Sequence, residues 1–234
     1  MLFEEFILWA GITLASVCLV LTFARIYGKE IAIGIYAVLT VVANIIAVKL
    51  ISVGGITAPA GVIVYSVTFL VTDFISEIYG KEAAKKAIIT GLVANIIAVL
   101  SIIIAVKMTP APFLSKEVVE SFNTVFTFTP RIVAASLIAF IISQTHDIYA
   151  YHFLRMLSKG KHMWLRNNVS TSISQLIDTT VFITVAFYGV APLLPLIAGQ
   201  YVLKLIIALF DTPFLYISVE TFKKLESDVN IVQG

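Results

Sequence analysis

Trp164 to Phe187 reads WLRNNVSTSISQLIDTTVFITVAF, and the reading of this stretch decides the fold. It opens with positive charge, stays polar for two helical turns, and then turns apolar. Wound as a helix, it places Ser170, Ser174 and Asp178 on one face at i, i+4 and i+8, with Thr171 and Gln175 beside them. Such a stripe of hydroxyls, an amide and a carboxylate is costly against lipid. It is therefore expected to face a bundle interior or a water-filled cavity, where an ionisable group marks a functional site by default.

The rest of the chain supplies the membrane context. Of its 234 residues 59% are hydrophobic and only 13% charged, and the mean hydropathy is +1.00. A soluble domain averages about 45–50% apolar and about 25% charged residues. Apolar runs of roughly 20 residues recur along the whole length, so the class is an all-α polytopic membrane bundle. A net charge of +2 gives no basic surface for nucleic acid. The single cysteine, Cys18, rules out an internal disulfide and reads as a packing thiol.

Seven spans are expected. The first, about Phe6 to Tyr27, follows Glu4 and Glu5 rather than a basic leader, so it reads as a helix, not a signal peptide. The second covers about Ile31 to Ile51; Ser52 to Gly61, SVGGITAPAG, is rich in helix breakers and reads as a loop or re-entrant turn. The third and fourth cover about Val62 to Tyr79 and Ala87 to Met108. Thr109 to Thr129 is expected to be the one long loop, and the fifth helix then runs from about Arg131 to Leu157. The sixth is about Asn167 to Tyr188, and the seventh runs from Leu193 to Phe222 with a kink at Pro213. Residues 225–234 then follow the last span as a cytoplasmic tail.

Lys and Arg cluster after the first, third, fifth and seventh helices, which puts the N-terminus outside and the C-terminus in the cytoplasm of a plasma-membrane protein. At 1.5 Å per residue, Asp73 and Asp147 then lie roughly 12 Å in from Lys81 and Arg155, and Asp178 and Asp211 roughly 18 Å in from Arg166 and Lys223. Four carboxylates from four helices thus fall between mid-membrane and its cytoplasmic half, with Lys204 deeper. Each costs at least about 2.5–3.5 kcal/mol to insert.

Plainer readings stand beside this one. Glu77 is close enough to its helix end to be solvated, and Asp147 with Gln144 can clamp two helices together. Lys204 and Asp211 share a face two turns apart, and pair with other helices more readily than with each other. His146 reads as a packing or interfacial histidine, Asn44 and Asn95 as amides joining helices, and Lys49 as a snorkelling lysine. The excess of acid over base suits a cationic or amine-bearing ligand, or a proton passed between carboxylates; the neighbouring hydroxyls and amides suit a planar ligand rich in donors and acceptors. Enzyme signatures are missing: there is no G-x-S-x-G, H-E-x-x-H, P-loop or paired-Cys motif, so no reaction and no internal nucleotide hydrolysis is expected.

Three segments in order carry a resemblance: YSVTFLVTDFISEIYGKEAAKKA (Tyr65 to Ala87), SQTHDIYAYHFLR (Ser143 to Arg155) and WLRNNVSTSISQLIDTTVFI (Trp164 to Ile183). With NIIAVKL, the PAG before the third helix and LKLIIALFDTPFLY (Leu203 to Tyr216), they resemble the queuosine precursor transporter family, also called vitamin uptake transporters, over roughly Ala37 to Phe222. The resemblance implies uptake of 7-deazaguanines such as preQ0 and preQ1, which feed tRNA modification. It also implies a six-helix core, residues 30–224, similar to the membrane substrate-binding subunits of energy-coupling-factor transporters, to which residues 1–29 add an N-terminal helix. At matching positions it carries over Thr72, Asp73, Gln144, Asp147, Ser170, Thr171, Asp178, Thr179 and Lys204.

Residues and resemblance together give Asn44, Thr68, Thr72, Asp73, Gln144, Asp147, Ser170, Thr171, Ser174, Gln175, Asp178, Thr179, Lys204 and Asp211 as candidate substrate contacts. Asp178 or Asp147 is expected to accept two hydrogen bonds from a guanine-like edge. No metal or bound cofactor is expected; a coupling proton or sodium ion would drive secondary transport. The alternatives are a binding subunit for another vitamin-like compound that needs a separate ATPase, a homo-oligomer of either kind, and a scaffold or receptor whose polar groups only lock helices.

Overall fold

A computed structural model describes residues 3–157 and 163–207. In chain order its elements are α1 (Phe3–Tyr27), α2 (Lys29–Ile46), β1 (Leu50–Val53), β2 (Ile56–Pro59), α3 (Val62–Tyr79), α4 (Lys81–Lys107), α5 (Lys116–Leu157) and α6 (Met163–Phe187), followed by α7, described over Leu193–Ile207. Lys29–Ile46, Glu82–Lys107 and Lys116–Ser143 are long and apolar enough to cross a membrane; Val62–Ser76, Ser172–Phe187 and Leu193–Ile207 are shorter apolar helices. The molecule is a helical membrane protein.

Two groups of helices share the structure. In the first, Leu14, Val17, Leu21 and Ala24 of α1 bury against Val67, Leu70, Val71, Phe74 and Ile75 of α3, with Tyr36 of α2 and Ala87 of α4 closing the cluster. In the second, Ile132, Ala135 and Ala139 of α5 pack on Phe182, Ile183 and Phe187 of α6, and on Leu196 of α7. Asn44 Nδ2 donates to Asn95 Oδ1 at 2.8 Å, and Asn95 Nδ2 donates to Thr40 Oγ1 at 3.0 Å and Gly91 O at 2.8 Å. This amide clamp joins α2 to α4, the common membrane use of such groups.

Several expected boundaries change: α2 ends at Ile46 rather than about Ile51, and α4 begins at Lys81 rather than about Ala87. Ser52 to Gly61 is largely an antiparallel hairpin rather than a loop, in register Leu50↔Pro59 through Val53↔Ile56. Gly54 and Gly55, at φ 55° and 85°, supply the two left-handed positions of a tight hairpin turn. Pairing satisfies the backbone groups of a segment whose Val53 and Ala58 are fully buried. Likewise, Thr109 to Thr129 is mostly helical, because α5 begins at Lys116 and carries Pro130 inside it. A proline removes only its own N–H from the ladder, and a helix can continue through it with a bend.

The hairpin is wedged among α1, α3 and α7: Val53 and Ala58 share a buried cluster with Phe6, Ile63, Leu203 and Ile207. Contact with α7 is backbone to backbone. A Cβ placed on Gly199 would lie 2.0 Å from Thr57 O, and one on Gly61 would lie 2.3 Å from Ala43 O of α2. Neither position has room for a methyl group. Gly199→Ala is therefore expected to lower stability by at least about 1–3 kcal/mol, the usual cost of overpacking, read as a fall in melting temperature of the purified protein. An unchanged melting temperature would contradict this packing.

Candidate functional site

Where the two helix groups meet beside the hairpin there is a cavity of about 350 Å³, counted to its open mouth. Its enclosed space is only about 20 Å³, room for about a single water. Its apolar lining includes Ala43 and Ala47 of α2, Pro59 and Val62 around the hairpin exit, Ala139 of α5 and Phe182 of α6. Five helices each add one polar group: Asn44 from α2, Tyr65 from α3, Ser136 from α5, Asp178 from α6 and Gln200 from α7. An apolar pocket with a few convergent polar groups is the usual form of a binding site.

Asp178 anchors this wall. Its Oδ2 accepts from Lys204 Nζ at 2.6 Å, with both side chains about 95% buried (4% and 5% exposed). Its Oδ1 accepts from Ser143 Oγ at 3.4 Å. Lys204 Nζ also stands 5.2 Å from the ring centre of Tyr65, within cation–π range. Lys204 therefore pairs with a residue of another helix. Further along the α5–α6 seam, His146 Nδ1 lies 3.0 Å from Ser174 Oγ, so His146 tethers the two helices where it was read as incidental packing. At the other end, Arg131 Nε and Nη2 donate to Val185 O at 2.9 Å and Tyr188 O at 2.7 Å, capping α6 with a cation.

The remaining predicted residues divide. Thr68 and Thr72 donate to carbonyls of their own helix, Tyr65 O for Thr68 and Thr68 O and Phe69 O for Thr72. Asp73 is exposed on α3 and does not line the cavity. Gln175 Oε1 and Thr179 Oγ1, one turn apart on α6, are buried without a hydrogen-bond partner, although neither lines the cavity. Gln144, Asp147, Ser170 and Thr171 lie on α5 and α6 with side chains outside the description, and Asp211 lies outside the described residues. The expected meeting of four carboxylates therefore reduces, among the described residues, to one acid paired with one base.

Three lining residues went unread in the sequence. Gln200 sits one turn before Lys204, Ser136 two turns before Ser143, and Tyr65 at the start of α3. Spacing from Lys204 could have found Gln200, since i and i+4 share a face.

A helical membrane protein with a small, polar-tipped cavity at the junction of its helix groups has the form of a transporter for small molecules. The chain belongs to such a family: residues 59–218 match the family described as "Putative vitamin uptake transporter". It is 33% identical over 212 residues to the "Probable queuosine precursor transporter" of Bacillus subtilis (strain 168), covering 89% of this chain and 92% of that one. It is 31% identical over 128 residues to a protein of the same name from Haemophilus influenzae, covering 55% and 51%. It is 25% identical over 138 residues to the "Queuosine precursor transporter" of Escherichia coli (strain K12), covering 59% of each. The family and these relatives are transporters, not enzymes. No solved structure matches the chain.

The pair itself makes a sharp prediction. Removing either partner strands a buried charge, so Asp178→Asn and Lys204→Met should each destabilise by about 3–5 kcal/mol, whereas the double variant Asp178→Asn/Lys204→Met should recover most of that loss. Melting curves of the three purified variants check it; additive losses in the double variant would show that the two side chains are not coupled.

Proposed function

We propose that this protein imports a queuosine precursor of the 7-deazaguanine class, such as preQ0 or preQ1, across the plasma membrane, and that the cavity around Asp178 is where the base is held. The carrying observation is the convergence of one polar group from each of five helices on a single apolar pocket. Near full-length similarity to a relative named for that substrate supports the same reading. On this reading the base lies against Phe182, with its polar edge toward the amides and hydroxyls. On this reading α2 to α7 form the transport core, α1 is an addition packed on α3, and the positive-inside distribution places the N-terminus outside and the C-terminus in the cytoplasm. The chain carries no P-loop, so hydrolysis within it does not power transport, and an ion gradient, of protons or sodium, is the driving force on this reading.

Cells unable to make queuosine precursors, and lacking their own importer, provide the test. Expression of this chain should restore uptake of labelled preQ1 or preQ0. The purified protein should melt at higher temperature as the base exceeds its dissociation constant, by the equivalent of about 2.7 kcal/mol at a hundredfold excess. Loss of uptake on collapsing the ion gradients would support secondary transport. Uptake that requires a copurifying ATPase would instead make the chain a binding subunit, and no thermal shift with any 7-deazaguanine would overturn the substrate assignment.

A further inference from the structure

We infer that Gln200, rather than Asp178, is the residue that reads the substrate's hydrogen-bonding edge, and that the edge it reads is an N–H beside a ring carbonyl. The inference deepens the proposed function and rests on it. Asp178 already has partners within the protein: Oδ2 accepts from Lys204, and Oδ1 lies 3.4 Å from a Ser143 hydroxyl that also reaches Phe140 O at 3.2 Å. Its charge is already neutralised by Lys204, so a ligand N–H gains less there than at a buried acceptor that has no partner at all. Gln200 is in the opposite condition. It is 4% exposed, lines the cavity, and its Oε1 is buried with no hydrogen-bond partner.

A buried carbonyl oxygen left unpaired costs about 1–3 kcal/mol, and native structures keep few of them. One that lines a cavity is a vacancy for an N–H. The side-chain amide holds an acceptor and a donor in one plane, so its complement is a planar ligand with a donor next to an acceptor, as in a lactam. The same bidentate geometry lets glutamine read a base edge in nucleic acids. Two further groups suit the rest of such a ring. Ser136 hydroxyl makes no hydrogen bond among the described residues, and Asn44 uses only its Nδ2 in the clamp to Asn95. The position of Gln200 is fixed from behind, because its neighbour Gly199 sits directly against Thr57 O. The cation and anion beside it cancel, so the cavity selects by hydrogen-bonding pattern rather than by charge.

The test crosses one variant with one ligand change, using the purified full-length protein. Wild type and Gln200→Met are titrated with 7-deazaguanine and with its O6-methyl derivative, which has lost the N–H and the carbonyl together. Wild type should prefer 7-deazaguanine at least tenfold, and Gln200→Met should lose that preference. The ligand-free variant should melt no lower than wild type, because methionine removes an unpaired buried polar atom while keeping the volume. Three results would overturn the inference: a variant that still discriminates as wild type does, a variant that binds 7-deazaguanine unchanged, or a ligand-free variant that melts clearly lower, which would make Gln200 a structural residue. Wild type that binds neither compound would instead remove the substrate assignment beneath it.

Discussion

The pairing of Asp178 with Lys204 is the contact on which the interior depends. It joins α6 to α7 through two side chains that have left water almost entirely. Neither charge is tolerable there alone, because desolvation of an ion costs several kcal/mol even after the protein relaxes. Together, with Ser143 on the second carboxylate oxygen and the Tyr65 ring beside the ammonium, they form a polar wall that the surrounding apolar helices can close upon. The same wall borders the cavity, so the feature that sets the register of two helices also shapes the place where a ligand would sit.

Much of this was legible in advance. Hydropathy fixes the class, since lipid leaves a polytopic chain few choices but helices. The polar stripe of α6 puts Asp178 in the interior, where it is indeed buried, because a carboxylate amid Ile177, Phe182 and Ile183 has no cheap position elsewhere. Three family-like segments carried the functional reading, and they fall on α3, α5 and α6. What failed did so for local reasons. Thr109 to Thr129 looked like a loop, whereas the helix begins at Lys116 and runs on through Pro130, which costs a hydrogen bond and crowds the carbonyl one turn back without ending it. SVGGITAP looked like a breaker-rich loop, although two glycines between Val53 and Ile56 are a hairpin signal.

The site was harder to read than the fold because polar identity does not reveal polar occupation. Thr68 and Thr72 look like ligand groups in sequence, yet their hydroxyls are spent on the carbonyls of the preceding turn. Asp73 lies on the outer side of α3, a facing that helical periodicity could have tested only with a known packing partner. Gln200 was passed over for the charged Lys204 one turn later. In the structure the charges satisfy one another, and it is the neutral amide that is left wanting a partner.

The hairpin imposes a mechanical division on the molecule. At Gly199 and Thr57, and again at Gly61 and Ala43, main chain meets main chain with no side chain between to slide or swing. These are rigid joints: β2 must travel with α7, and the start of α3 with α2. The seams available for rearrangement are the ones closed by side chains, above all the approach of Ser136, Ala139 and Phe182 toward Asn44 and Tyr65 across the cavity. The hairpin is thus part of the frame, while the cavity lies on the seam between the helix groups that side chains alone close.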